Sequence, residues 1–390
     1  MEVTMTDALV GTYRTDRPVM VSARGCRVTS EDGRELLDFV SGIGVNALGY
    51  QHPVIMEAMQ AGLASGLWHA SNLYRNRPAQ DLARLLTEVS FADKVFFCNS
   101  GGEANEAAFK FARRYARERV NGDKYEIVAL KGSFHGRLFG TLAATDRPSF
   151  RAPFEPLMPG VQFVVPGDFA GASAAISRER TAAIIAEPVQ GEGGIRPLDA
   201  KFLAHLRALA DASDAVLIFD EVQCGLGRTG TLFAYEHFGV VPDILTLAKP
   251  LAGGLPMGAV LVAEKIAATI KPGDHATTFG GGALVSTVAH AVVQHIADPA
   301  FLASVRAKGD LLAAALGRLT ALPKVKEVRG IGLMWGIELN EPAAPFVARL
   351  YEAGLLVTSA GENVIRLLPP LVVSERDVAI AIQMITEVLQ

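Results

Sequence analysis

Seven short apolar runs recur through the middle of this 390-residue chain, at 95–97, 126–130, 162–165, 183–186, 215–219, 244–247 and 259–262. Amphipathic stretches with helical spacing, such as 103–119 and 201–211, lie between them. Short, almost wholly apolar runs that alternate with helices predict strands of a mainly parallel sheet covered on both faces.

The two ends of the chain read differently. Positions 28–38 alternate around Asp32-Gly33, which predicts a small hairpin with an Asp-Gly turn. From about residue 296 helices mix with short strands at 333–339 and 364–368. The expected fold class is therefore α/β. A large domain at 55–295 carries the mainly parallel seven-stranded sheet, and 1–54 joins 296–390 in a smaller α+β domain.

In an open parallel sheet, ligands sit beyond the carboxyl ends of the strands. Five of these runs end in polar or reactive groups: Asn99-Ser100-Gly101-Gly102, Gly132-Ser133-Phe134-His135-Gly136-Arg137, Glu187-Pro188, Asp220-Glu221 and Lys249. Ser100-Gly101-Gly102 stands at the start of a helix, where free N–H groups and the dipole favour an anion such as phosphate. An N-cap serine in a flexible turn would look the same.

Asp220 and Lys249 are more telling as a pair, because an acid and an amine at the ends of buried strands are costly to desolvate without a use. Pyridoxal 5′-phosphate (PLP) would use both: the lysine as a Schiff-base amine, the aspartate as the partner of the pyridine nitrogen. A strand ending in Asp-Glu also suggests a Mg²⁺-binding nucleotide hydrolase, but no G-x-x-x-x-G-K-[ST] precedes it.

Gly225-Leu226-Gly227-Arg228-Thr229-Gly230 spells G-x-G-x-x-G. Residues 220–224 separate it from its strand, and no suitable acid stands about 20 residues further on, so it reads as an active-site loop rather than a dinucleotide fingerprint. Arg137 beside its glycine offers a fork for a carboxylate, with a surface salt bridge as the bland reading. Arg366 lies inside the apolar run 364–368, where a buried charge requires a partner or a ligand.

Composition narrows the class. Half the residues are hydrophobic and the net charge is −4, which describes a globular enzyme without a basic footprint for nucleic acid. Cys26, Cys98 and Cys224 have no metal-ligand spacing and suit a reducing cytoplasm. The start 1–7 lacks the basic residues and apolar run of a signal peptide, and 251–263 is too short and glycine-rich to span a bilayer. A cytoplasmic protein with no metal, membrane or nucleic-acid partner is expected.

Asn99-Ser100-Gly101-Gly102-Glu103-Ala104-Asn105-Glu106, Phe134-His135-Gly136-Arg137, 187–194 and Phe219-Asp220-Glu221-Val222-Gln223, with Lys249, resemble the class-III, fold-type-I PLP aminotransferases from Tyr13 to Pro370. Ser71-Asn72-Leu73-Tyr74 and 364–371 resemble the acetylornithine branch of that family. The resemblance implies that Lys249 carries the cofactor and moves protons, and that Asp220 holds the ring nitrogen. It implies Phe134 and Val222 on the two ring faces and Gln223 at the ring hydroxyl, with His135 and Glu187 also in the cofactor pocket. Ser100, Gly101 and Gly102, with Thr278 from a second subunit of a homodimer, would hold the phosphate.

For substrate, the resemblance implies Arg137 and Tyr13 at the α-carboxylate. It implies that Glu192 masks Arg366 while an ω-amine reacts and releases it for glutamate. The reaction so implied moves the δ-amino group of N²-acetylornithine to 2-oxoglutarate, giving N-acetylglutamate 5-semialdehyde and glutamate, a step of arginine biosynthesis. Succinylornithine, an acylated or carrier-linked lysine, or ornithine are the alternative donors; a PLP-dependent decarboxylase or aminomutase is the alternative class. Two departures stand out: 279–283 lacks the Asn-Pro usual in the family after the glycine pair, and Gly102 replaces a threonine or similar residue.

Overall fold

The structure, a computed structural model, describes residues 8–13, 18–119 and 124–390. Its centre is a seven-stranded sheet. In chain order the strands are β1 (Lys94–Cys98), β2 (Glu126–Leu130), β3 (Val161–Val164), β4 (Thr181–Ala186), β5 (Val216–Asp220), β6 (Ile244–Leu247) and β7 (Gly258–Val262). Every predicted run is a strand, displaced by no more than a residue or two at its ends. The spatial order is β1-β7-β6-β5-β4-β2-β3. Neighbours pair in parallel except around β7, which runs antiparallel to both β6 and β1.

Alternation along each strand assigns its residues to two cores. Ile127, Ala129, Ile185, Val216, Ile218 and Ile244 meet the helix Gly101–Arg119 through Ala104, Ala107, Ala108 and Ala112, small residues that let the helix approach closely. Val128, Leu130, Ile184, Leu217, Phe219, Leu245 and Leu247 face the opposite core, built on Phe202, Leu203 and Leu206 of the helix Ala200–Ser213. Side-chain period two thus places Ile218 and Asp220, and likewise Ile244 and Thr246, on the side of the helix Gly101–Arg119.

The expected hairpin forms between Arg27–Ser30 and Glu35–Asp38, with Gly33 at φ 82° in its turn. Glu35–Asp38 also pairs in parallel with Leu355–Leu356, so the two ends of the chain share a sheet. Their side chains form one core, from Cys26 to Ala47 and from Val305 to Leu389, whereas the core beside the large sheet runs from Leu48 to Ile296. The core beside the large sheet thus takes in Leu48, ahead of residue 55, and Ile296, beyond residue 295.

The glycine-rich loop at 225–230 packs against the smaller domain instead of lining the cavity described below, which corrects its reading as an active-site loop. Arg228 is wholly buried and its Nη1 donates to the carbonyls of Leu333 (3.1 Å) and Pro369 (2.5 Å). Gly332 makes this junction possible: its φ is +58°, and a Cβ there would lie 2.5 Å from the carbonyl carbon of Thr229. Gly332→Ala should therefore lower stability by about 1–3 kcal/mol, read as a fall in the urea midpoint at unchanged slope. An unaltered midpoint would show that the junction yields freely.

Candidate active site

The carboxyl ends of β1, β2, β4, β5 and β6 open into one cavity of about 400 Å³. At the end of β1, Ser100 Oγ accepts from Glu103 N (3.2 Å), while Glu103 Oε2 reaches back to Asn99 N (2.7 Å). Ser100 is thus both a cap and a wall of the cavity. Gly101 is sterically required: a Cβ there would lie 2.6 Å from Val222 Cγ1. A Cβ at Gly102 would meet Leu138 at an ordinary 3.6 Å, so the departure at this position leaves room rather than relieving a clash. At the other departure, Gly282 N donates to Phe279 O (3.0 Å) and the chain turns into the helix Ala283–Ile296 without the usual Asn-Pro.

Asp220 is the most firmly held carboxylate of the site. Its Oδ2 accepts from Asn105 Nδ2 (2.7 Å) and lies 2.8 Å from His135 Nδ1, and its Oδ1 accepts from Val222 N (3.0 Å). Asn105 is fixed in turn, accepting from Thr246 Oγ1 (2.7 Å) and donating to His135 O (2.8 Å). All four side chains are buried. Asn105 and Thr246 were not anticipated, although each is a lone polar residue on an otherwise apolar face, and that was the available signal.

Lys249 lies two residues past the end of β6 in a strained conformation, φ +27° immediately before Pro250. Such strain costs roughly 1–3 kcal/mol and marks positions where function overrides local preference. Burial, helped by the nearby Arg366, pushes the Lys249 amine below its ordinary value; Glu192, Asp220 and Glu187 oppose this. The amine is thereby shifted toward its uncharged, nucleophilic form.

Glu187 ends β4 and accepts from Phe134 N (2.9 Å) and Gly191 N (3.0 Å). Burial raises it to about 7, Asp220 adds to the rise, and His135 opposes it. Glu192 lies against Arg366, which is only 3% exposed and also touches Gln223 Oε1 (3.4 Å) and Thr358 Oγ1 (3.2 Å). Burial works to raise Glu192, but Arg366, Lys249 and Arg147 hold it below its ordinary value. The partner expected for Arg366 is therefore present.

Of the residues predicted from sequence, the cavity wall brings together Ser100, Gly101, Gly102, Phe134, His135, Glu187, Glu192, Asp220, Val222, Gln223 and Lys249. Arg366 joins through Glu192. Three residues stand outside that wall. Arg137 is exposed, its guanidinium 3.5 Å over the ring of Phe150 and 5.8 Å from that of Phe134. Thr278 lines a separate cleft with Glu106 and His275, and Tyr13 is 88% exposed. Among the described residues no group of His, Cys, Asp or Glu could hold a metal.

A buried amine, a carboxylate oriented by three donors and a glycine-lined helix start fit the aldehyde, ring nitrogen and phosphate of PLP, and with this sheet they define a fold-type-I PLP-dependent enzyme. Residues 12–389 match the class-III aminotransferase family. The chain belongs to that family and is a PLP-dependent aminotransferase. It is 47% identical to the mitochondrial acetylornithine aminotransferase of Alnus glutinosa, over 98% of this chain and 85% of that protein. It is 44% identical to the succinylornithine transaminase of Salmonella enteritidis, over 93% of this chain and 89% of that one. The ornithine aminotransferase of Toxoplasma gondii, whose structure shows partial occupancy of PLP, superposes with a TM-score of 0.93 at 28% identity, covering 98% and 92% of the two chains.

Glu221, beside Asp220, accepts from Ala234 N (2.5 Å) and Tyr235 N (2.7 Å), and burial raises it from 4.5 to about 8. Between these values the folded state binds more protons than the unfolded chain, so stability falls as pH rises, and Glu187 acts in the same direction. Tm should decline from about pH 5 to pH 8, and Glu221→Gln should flatten that decline. Parallel profiles for the two proteins would remove Glu221 as a source of the slope.

Proposed function

We propose that this aminotransferase moves the δ-amino group of N²-acetylornithine to 2-oxoglutarate, giving N-acetylglutamate 5-semialdehyde and glutamate in arginine biosynthesis. The observation that carries this reading is the Glu192–Arg366 pair at the cavity that holds Lys249. An arginine masked by a movable carboxylate suits an enzyme that takes an ω-amine in one half-reaction and an α-amino acid in the other. The acetylornithine and succinylornithine enzymes among the relatives support an acylated ornithine as the donor. Succinylornithine is the second reading, and it follows from the second of these relatives.

PLP supplies an electrophilic carbon and a ring that accepts electrons. Within its pocket, Lys249 would hold it and carry the proton between substrate carbon and cofactor. Asp220, fixed by Asn105, His135 and the Val222 N–H, would keep a proton on the ring nitrogen. Phe134 and Val222 would enclose the ring, Gln223 would contact its hydroxyl, and Glu187 would hold Phe134 in place through its backbone. Ser100, Gly101 and Gly102 would receive the phosphate at the helix N-terminus.

Arg137 would turn to the α-carboxylate of the acylated donor, with Tyr13 nearby. Glu192 would leave Arg366 when glutamate or 2-oxoglutarate enters. A homodimer is part of the proposal. Trp68, Leu73, Tyr74, Leu138, Phe139 and Phe279 are exposed, and Thr278 beside them would complete the phosphate site of a second copy. No described helix is long and apolar enough to cross a membrane, and the proposed site of action is the cytoplasm.

Glutamate formation from 2-oxoglutarate with acetylornithine, succinylornithine, ornithine and acylated lysines tests the donor directly. Acetylornithine should give the highest kcat/KM, and a higher value for another donor would reassign the substrate. Lys249→Ala should lose turnover by roughly 10³-fold or more, together with the visible band that the cofactor gains on binding lysine. Retention of that band would displace Lys249 from its role. Arg137→Ala should raise KM for the acylated donor roughly 10- to 100-fold, the size of a lost charge-assisted fork. An unchanged KM would take Arg137 out of the site.

A further inference from the structure

The short loop 191–194 carries Glu192 and is fastened on several sides, in part by Arg147 and Arg329, which the proposed chemistry does not otherwise use. Arg147 Nη2 donates to Glu192 O, and Arg329 Nε donates to Gly194 O (2.9 Å). Glu187 Oε2 accepts from Gly191 N (3.0 Å), and Gln190 Nε2 donates to Lys131 O (2.9 Å). The loop is also closely seated, since a Cβ at Gly193 would lie 2.7 Å from Gly132 O.

Arg147 is itself aimed at this loop. Asp146 Oδ2 accepts from Gly132 N (2.8 Å), and Asp146 N donates to Ser133 O (3.0 Å), which ties the segment to the end of β2. Arg147 then precedes Pro148, the first residue of the helix Pro148–Arg151. The backbone that bears Glu192 is thus held between the large and small domains. Its side chain, 28% exposed, is the part with room to move, while its partner Arg366 is buried.

We propose that Arg147 is a positioning residue for donor selectivity, holding the Glu192 backbone so that the carboxylate rests on Arg366 and leaves it by side-chain rotation alone. This inference rests on the Glu192–Arg366 switch proposed above. A charge-assisted hydrogen bond to a half-buried carbonyl resists loop displacement, and the guanidinium favours the ionised carboxylate that pairs with Arg366. Without it, Glu192 covers Arg366 in a smaller fraction of molecules. Arg366 is then open more often to an α-carboxylate, and glutamate gains relative to the ω-amine donor.

The test follows the two half-reactions separately, using cofactor absorbance in the holoenzyme with glutamate or N²-acetylornithine alone. Arg147→Ala should raise the ratio of kcat/KM for glutamate to that for acetylornithine by roughly tenfold, and Arg147→Lys, which keeps a cationic donor, should restore most of it. Arg147→Met keeps the apolar stem and gives the same comparison if the alanine variant does not yield folded holoenzyme. Equal loss in both half-reactions, the signature of a purely structural role, would overturn the proposal. Glu192→Ala measured in parallel separates the two levels. A ratio that moves with Glu192→Ala but not with Arg147→Ala leaves the switch standing and sinks the role of Arg147. A ratio that moves with neither removes the switch and this inference with it.

Discussion

Because β5 and β6 are buried on both faces, a polar side chain within them must find a partner on the helix above or lie at a strand end, where the cavity begins. Asp220 and Thr246 illustrate the first solution. They lie in register on adjacent parallel strands and project to the same face, so one buried residue, Asn105, can bind both. Lys249 illustrates the second, just past the end of β6 at the cavity. The strand-end chemistry depends on this constraint, because the covered sheet that excludes water also aligns five carboxyl termini at one edge.

Exclusion of water makes the charges interdependent. Lys249 is pulled toward neutrality by burial and by Arg366, and back toward charge by Glu192, Asp220 and Glu187. Moving Glu192 away from Arg366 therefore changes two things at once. It opens a guanidinium to a carboxylate, and it removes one of the charges that favour a protonated lysine. An incoming substrate carboxylate on Arg366 would restore the negative charge that Glu192 withdrew. On the proposed switch the site would exchange donors with its charge balance conserved, which matters where the effective dielectric is low.

Much of this was legible in the sequence. The seven strands were visible as apolar runs because parallel strands buried on both faces lack polar alternation. Five of their ends carried Ser100, His135, Glu187, Asp220 and Lys249, which line the cavity, whereas Glu192, Val222 and Gln223 came from the family resemblance. Strand direction was not legible: the run at 259–262 looks like its neighbours, yet β7 runs antiparallel, since the short segment after β6 returns the chain without a crossover. The glycines at 225–230 were placed at the cavity because their spacing shows a tight loop without showing which side it packs on. The buried Arg228 commits that loop to the domain junction.

Arg147 escaped notice for a further reason. It follows no strand, sits in no apolar run, and acquires a role only because Asp146 anchors its segment to Gly132 and the loop 191–194 passes close by. The residues proposed to touch the cofactor are announced by chemistry at strand ends, whereas a residue proposed to steer a switch is announced only by what it holds. Glu192 and Arg366 could be paired from sequence through family resemblance, but the rigidity of the platform beneath Glu192 could not. On the proposal that Glu192 moves off Arg366, that rigidity makes side-chain rotation the movement. A loop that moved would have to break the hydrogen bonds donated by Arg147 and Arg329 and the one accepted by Glu187 together, at a net ~0.5–1.5 kcal/mol each and more for the charged partners. A side chain that rotates gives up only the ion pair with Arg366, which a substrate carboxylate would replace.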